Sequence, residues 1–171
     1  MGNTEHNLDN VELGLKYANF TFEETGLLIG GGIELGLPTG DDDNGIGSDH
    51  VLEVEPFVDF GFKKNQYEIV GILGFGIPTN TNGEDEADWE LGWNLSLLYH
   101  MTSKLKTLLE FDGESVYGGE EDEFDAINIT PGIKFQATDN PNLEMGLGVS
   151  FPLSNDKDFH LHTILSLFYH F

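Results

Sequence analysis

Apolar and polar side chains alternate with a period of two along almost the whole of this chain, and that period admits only extended strand. The cleanest stretch is 143–153. Leu143, Met145, Leu147, Val149, Phe151 and Leu153 take one set of positions, and Glu144, Gly146, Gly148, Ser150 and Pro152 take the other. A helix, with a period of about 3.6, would mix the two sets on each of its faces. Segments 159–171, 126–137 and 89–101 repeat the pattern, and 10–22, 26–38, 50–63, 66–78 and 104–116 carry it with more noise. The reading is nine strands, no helix and no domain boundary: a single all-β domain over residues 1–171.

The connections alternate in length. Short ones fall at 24–26, 63–66, 102–104 and 138–142, and longer ones at about 39–50, 79–88, 116–124 and 154–158, all rich in Gly, Asn, Asp and Pro. Short turns alternating with long loops are the connectivity of an up-and-down antiparallel barrel. Composition removes other classes. Acidic residues number 31 against 7 basic ones, for a net charge of −24, which argues against a nucleic-acid binder. Cysteine is absent, so disulfides, thiolate metal sites and cysteine nucleophiles are ruled out. With 39% apolar residues the chain is too hydrophobic for an acidic disordered segment. It has no apolar run of the roughly 18 residues that a membrane-spanning helix needs.

A soluble barrel and a barrel in lipid both alternate, and further features favour lipid. Strands of about 10 residues tilted by ~45° span the apolar band of a membrane. Aromatic residues stand near the ends of the apolar faces, at Tyr17, Tyr67, Trp89, Tyr99, Tyr169 and Phe171, where interfacial girdles belong. The polar face mixes glycine with Glu, Lys, Asn and Ser, as a wet interior allows. The ending Leu165, Leu167, Tyr169, Phe171 resembles the C-terminal signal of bacterial outer-membrane barrels, which implies recognition by the barrel-assembly machinery through Phe171. The expected fold is therefore a transmembrane β-barrel in the bacterial outer membrane, with short turns on the periplasmic side. Counting back from a periplasmic C-terminus puts the first strand's start outside the cell, whereas single-chain bacterial barrels have even strand numbers. Residues Met1 to His6 carry neither the basic nor the apolar region of a signal peptide. Together these predict a barrel of about 10–12 strands that here lacks its leader and at least one N-terminal strand.

The segment Gly32-Ile33-Glu34-Leu35-Gly36-Leu37-Pro38-Thr39-Gly40-Asp41, followed by Gly45-Ile46-Gly47-Ser48 and Glu55-Pro56-Phe57, resembles the outer-membrane barrels named for the meta pathway of phenol degradation. Residues 10–17, Asn-Val-Glu-Leu-Gly-Leu-Lys-Tyr, resemble the strand that leads into this block in that family. The likeness covers residues 10–60; beyond 60 only the barrel pattern continues. It implies an outer-membrane transporter for small hydrophobic or aromatic compounds.

The chemistry-bearing side chains fall into four groups. The inward set contains Glu12, Glu34, Glu53, Glu55, Asp59, Glu68, Glu90, Glu110, Asp112, Glu114 and Glu144, with Asn94 among them and Lys16, Lys63, Lys104, Lys106 and Lys134 as the cations. Around water this excess of carboxylates favours cations over anions; the plainer reading is acid–lysine pairing that braces a narrow interior. The long loops hold Asp41, Asp42, Asp43 and Asp49, then Glu84 to Asp88, then Glu120 to Asp125. Such oxygen ligands suit Ca²⁺ or Mg²⁺, shared with lipopolysaccharide phosphates, though Asp41–Asp49 lacks EF-hand spacing, and a solvated acidic loop is the plainer reading. Six lysines cluster toward the periplasmic ends. His160 and His162, two apart on the inward face, could share a metal, but no third ligand is evident. No serine has a recognisable nucleophile setting, so no enzyme is expected. Two functions remain: passage of small hydrophobic or aromatic compounds, or a non-transporting surface barrel whose acidic loops bind divalent cations, lipopolysaccharide or a partner. A soluble ligand-binding barrel is the third class.

Overall fold

The computed structural model describes residues 10–40, 48–79, 89–118, 124–136, 138, 140, 142–154 and 159–169, the side chains of 19–23, 124 and 125 excepted. The described residues form β1 (Val11–Phe22), β2 (Leu27–Leu37), β3 (Leu52–Lys64), β4 (Tyr67–Thr79), β5 (Trp89–His100), β6 (Leu105–Tyr117), β7 (Phe124–Phe135), β8 (Leu143–Pro152) and β9 (His162–Tyr169), with one 3₁₀ turn at Glu23–Thr25. All nine join one sheet in chain order, each antiparallel to the next. This is the up-and-down arrangement that the alternating pattern predicts, and the strands agree with the sequence expectation to within a few residues. The largest departure is at the end, where β9 begins at His162 rather than at Phe159.

The sheet is not closed. β1 and β9 are its edges, and because neighbours alternate in direction, these two edges run the same way. At one rim the connections are 23–26, 65–66, 101–104 and 136–142; at the other they are 38–51, 80–88, 118–123 and 153–161. The alternation of short turns and long loops is clear for the first half of the sheet. It fades around β7, where 136–142 is no shorter than 118–123. The tightest turn joins β3 to β4 through Asn65, whose φ of 55° is a left-handed conformation that asparagine tolerates.

The two faces differ in the way the sequence predicts. One carries Leu13, Leu15, Val58, Leu73, Phe75, Leu147, Phe151, Leu165 and Leu167, all exposed, with Leu15 at 74%, Leu147 at 45% and Leu165 at 73%. Leu143 and Met145, on the same face, are half-buried. The other face is the enclosed one: Asp59, Ser96, Thr130 and Ser150 are all buried on it, Thr130 to 3% exposure. A flat sheet would expose both faces equally, so the sheet curls around its polar side. Among the described residues no large side chain is fully buried, and the buried apolar ones are only Val51, Phe57, Leu98 and Val116. The greasy residues do not gather into a core; they form the outer surface of a curved wall.

Among the described residues, the backbone groups of β1 and β9 that face the open side have no ladder partner. Amide exchange is expected to be fastest on these two edges and about 100-fold or more slower in β4 and β5, as read by hydrogen–deuterium exchange of the folded chain. Uniform protection across all nine strands would show that the edges are paired.

Candidate functional site

The enclosed face is built from every second residue, and register stacks these residues in rows across the sheet. Nearest the long-loop rim stand Glu12, Glu34, Glu53, Glu55 and Glu90, with Glu34 directly opposite Glu55. Glu114 follows one row further in, opposite Gly92. A middle row brings together Asp59, Ile72, Asn94, Asp112 and Asn128, and below it lie Val70, Ser96, Glu110 and Thr130. Toward the short-turn rim come Lys63 opposite Glu68, Leu98 opposite Leu108, and then His100, Lys106 and Lys134. Glutamates therefore crowd the long-loop rim, and Lys63, Lys106 and Lys134 gather with Glu68 and Glu144 toward the other; between them Asp59, Asp112 and Glu110 stand among amides and hydroxyls, with Lys16 in the row of Glu114. The lumen-lining candidates read from sequence occupy this face together, with the exceptions given below.

Side chains tie the rows and strands together. The Lys16 ammonium donates to Asp59 Oδ2 at 2.6 Å, although β2 lies between their strands. That reach requires β2 to carry nothing there. A Cβ on Gly30 would stand 2.4 Å from Asp59 Oδ1, and one on Gly32 would meet the Phe57 ring at 2.5 Å. Lys106 also reaches across β7, which carries Lys134 opposite it, to Glu144 Oε2 at 2.7 Å. The Ser96 hydroxyl donates to Glu110 Oε2 at 2.6 Å, and the Asn128 amide donates to Asp112 Oδ2 at 2.8 Å. His100 Nε2 lies 2.9 Å from Glu68 Oε2, and the Lys134 ammonium sits 4.7 Å over the Phe168 ring. Near the acid-rich rim, Glu53, Glu55, Glu90, Asn94, Asp112 and Glu114 border a cavity of about 460 Å³. Such a surface attracts cations and repels anions.

Several sequence candidates lie elsewhere. His160 precedes β9 and is exposed, so it is not the strand neighbour of His162, which faces inward opposite Ser150 and packs edge-on to Phe159. Lys104 sits in the 101–104 connection. Asp41, Asp42 and Asp43 lie outside the described residues, as does Phe171. Asp49 is exposed and bonds His50 Nδ1 at 3.0 Å. Among the described residues no three metal-ligating side chains converge.

Sequence reasoning missed the apolar members of the enclosed face, Leu28, Phe57, Val70, Ile72, Leu98 and Leu108. β4 reads as almost continuously apolar, so only its neighbours' register assigns Val70 and Ile72 their side; in β2, β3, β5 and β6 the apolar residue interrupts an inward set that is otherwise polar or glycine. On the outer face, Trp89 stacks on Tyr117 with centroids 3.9 Å apart at the long-loop rim, and Tyr67 meets Tyr99 at 5.2 Å at the short-turn rim. No protein-family model matches the chain, and no curated protein matches it either.

The Lys16–Asp59 pair predicts an asymmetry. Lys16→Met strands a buried carboxylate whose Oδ1 already has no hydrogen-bond partner, and is expected to destabilise by about 1–3 kcal/mol. Asp59→Asn leaves a half-exposed, hydrated ammonium and is expected to cost less than about 1 kcal/mol. Urea denaturation of the two variants reads the order. Gly30→Val, which drives a side chain into Asp59, is expected to lose about 1–3 kcal/mol on the same measurement.

Proposed function

We propose that the sheet is the wall of a transmembrane β-barrel of the bacterial outer membrane and that its enclosed face lines a route for small hydrophobic or aromatic compounds. The observation that carries the membrane part is the outer face: exposed aliphatic side chains bounded at both rims by paired aromatic rings. From Trp89 to Tyr99 a strand advances by about 34 Å, which a ~45° tilt projects to roughly 24 Å, against an apolar band of about 25 Å. A soluble protein rarely leaves so large an apolar surface uncovered. With edges β1 and β9 running the same way, closure through antiparallel pairing alone takes an odd number of further strands, which fits the barrel of about 10–12 expected from sequence. The compound class rests on the resemblance of residues 10–60 to the barrels named for the meta pathway of phenol degradation.

Lipid gives the decisive test. Leu147→Arg, at the middle of β8, is expected to destabilise the protein folded in phospholipid vesicles by about 2–4 kcal/mol. The same change on a water-exposed surface stays within about 0.5 kcal/mol, and a value that small removes the membrane reading.

The ties across the enclosed face favour a second reading, a braced barrel that passes nothing and presents its acidic loops to divalent cations, lipopolysaccharide or a protein. Planar-bilayer recording separates the two. The transport reading expects conductance with a preference for cations, set by the carboxylates at the long-loop rim. A silent barrel that inserts normally leaves the second reading.

A further inference from the structure

A second cavity, of about 480 Å³, opens on the enclosed face toward the short-turn rim. Its lining includes Leu28, Val70, Asp59, Glu68, Lys16 and Lys63. The charged groups here are not equivalent. Lys16 is bound to Asp59, and Glu68 is bound to His100. Elsewhere on this face Lys106 holds Glu144, and Lys134 lies over the Phe168 ring. Lys63 stands opposite Glu68 in register, yet among the described residues no acceptor is bonded to its ammonium. The cavity thus joins an unengaged cation to an aliphatic wall, Leu28 and Val70, at a position where Gly61 leaves the surface open.

We propose that this cavity is a binding site for small amphipathic carboxylates, with the carboxylate on the Lys63 ammonium and the hydrocarbon body against Leu28 and Val70. The volume falls in the range of small-ligand sites. An uncharged compound would gain the wall but not the cation, and an amine would meet Lys63 with like charge. The proposal rests on the reading of the enclosed face as a lumen, and it adds a local site for anionic heads toward the short-turn rim, apart from the anion-repelling carboxylates of the long-loop rim.

The test is calorimetric titration of the full chain, folded in detergent micelles, with hexanoate, 1-hexanol and hexylammonium. Saturable one-to-one binding of hexanoate is expected. A charge-assisted hydrogen bond makes binding of 1-hexanol, and of hexanoate to Lys63→Met, about tenfold or more weaker. Lys63→Arg should keep binding, and Val70→Asp should abolish it. No saturable hexanoate heat, or equal affinity for hexanoate and 1-hexanol in the unaltered protein, overturns the site whatever the variants do. Insertion into vesicles is scored separately. A chain that inserts but does not bind hexanoate loses only this site, whereas a chain that fails to insert overturns the lumen reading and the site with it.

Discussion

A strand has two sides, and nearly every strand here commits one side to hydrocarbon and the other to charge. That commitment fixes the rest of the architecture. With carboxylates, amides and lysines on one face, the sheet cannot bury that face against a second apolar layer, so no sandwich forms. It curls instead around its polar side, which encloses Asp59, Ser96, Thr130 and Ser150 and turns Leu15, Val58, Leu147 and Leu165 outward. Part of the enclosed polar set pairs within itself: Ser96 with Glu110, Asn128 with Asp112, and Asp59 through Oδ2 with Lys16.

The glycines of β2 have a definite part in this. The Lys16 and Asp59 side chains, on β1 and β3, meet over a strand left bare beside Asp59, because side chains on one face of a sheet stand roughly perpendicular to it and one at Gly30 would collide with the carboxylate. Gly30 clears that path, while Gly32 beside it leaves room for the Phe57 ring, and together they leave β2 with little packing of its own at that height. The local weakness of a glycine-rich strand is offset by an ion pair that straps its neighbours together.

Strand number, strand order and the assignment of faces were legible in the sequence because they depend only on alternation and turn residues. Leu147 and Glu144 could be assigned to opposite sides without coordinates. The pairings were not legible. Lys16 finds Asp59 through a register set two strands away, and nothing in the spacing of residues 16 and 59 encodes it. Strand β4 hid its sides for another reason: Gly-Ile-Leu-Gly-Phe-Gly-Ile is apolar at both parities, so Val70 and Ile72 were not recognisable as inward until β3 and β5 fixed their phase. His160 escaped its expected strand because β9 is shorter than the apolar pattern that precedes it.

An odd number of strands has a geometric result for the chain as a carrier of labels. β1 starts at the long-loop rim and β9 finishes at the short-turn rim, so Val11 and Tyr169 leave the sheet on opposite sides of whatever it divides. Under the membrane reading proposed above, a probe attached beside one of them would report on a different compartment from a probe attached beside the other, and a protease confined to one side would have only one of the two within reach.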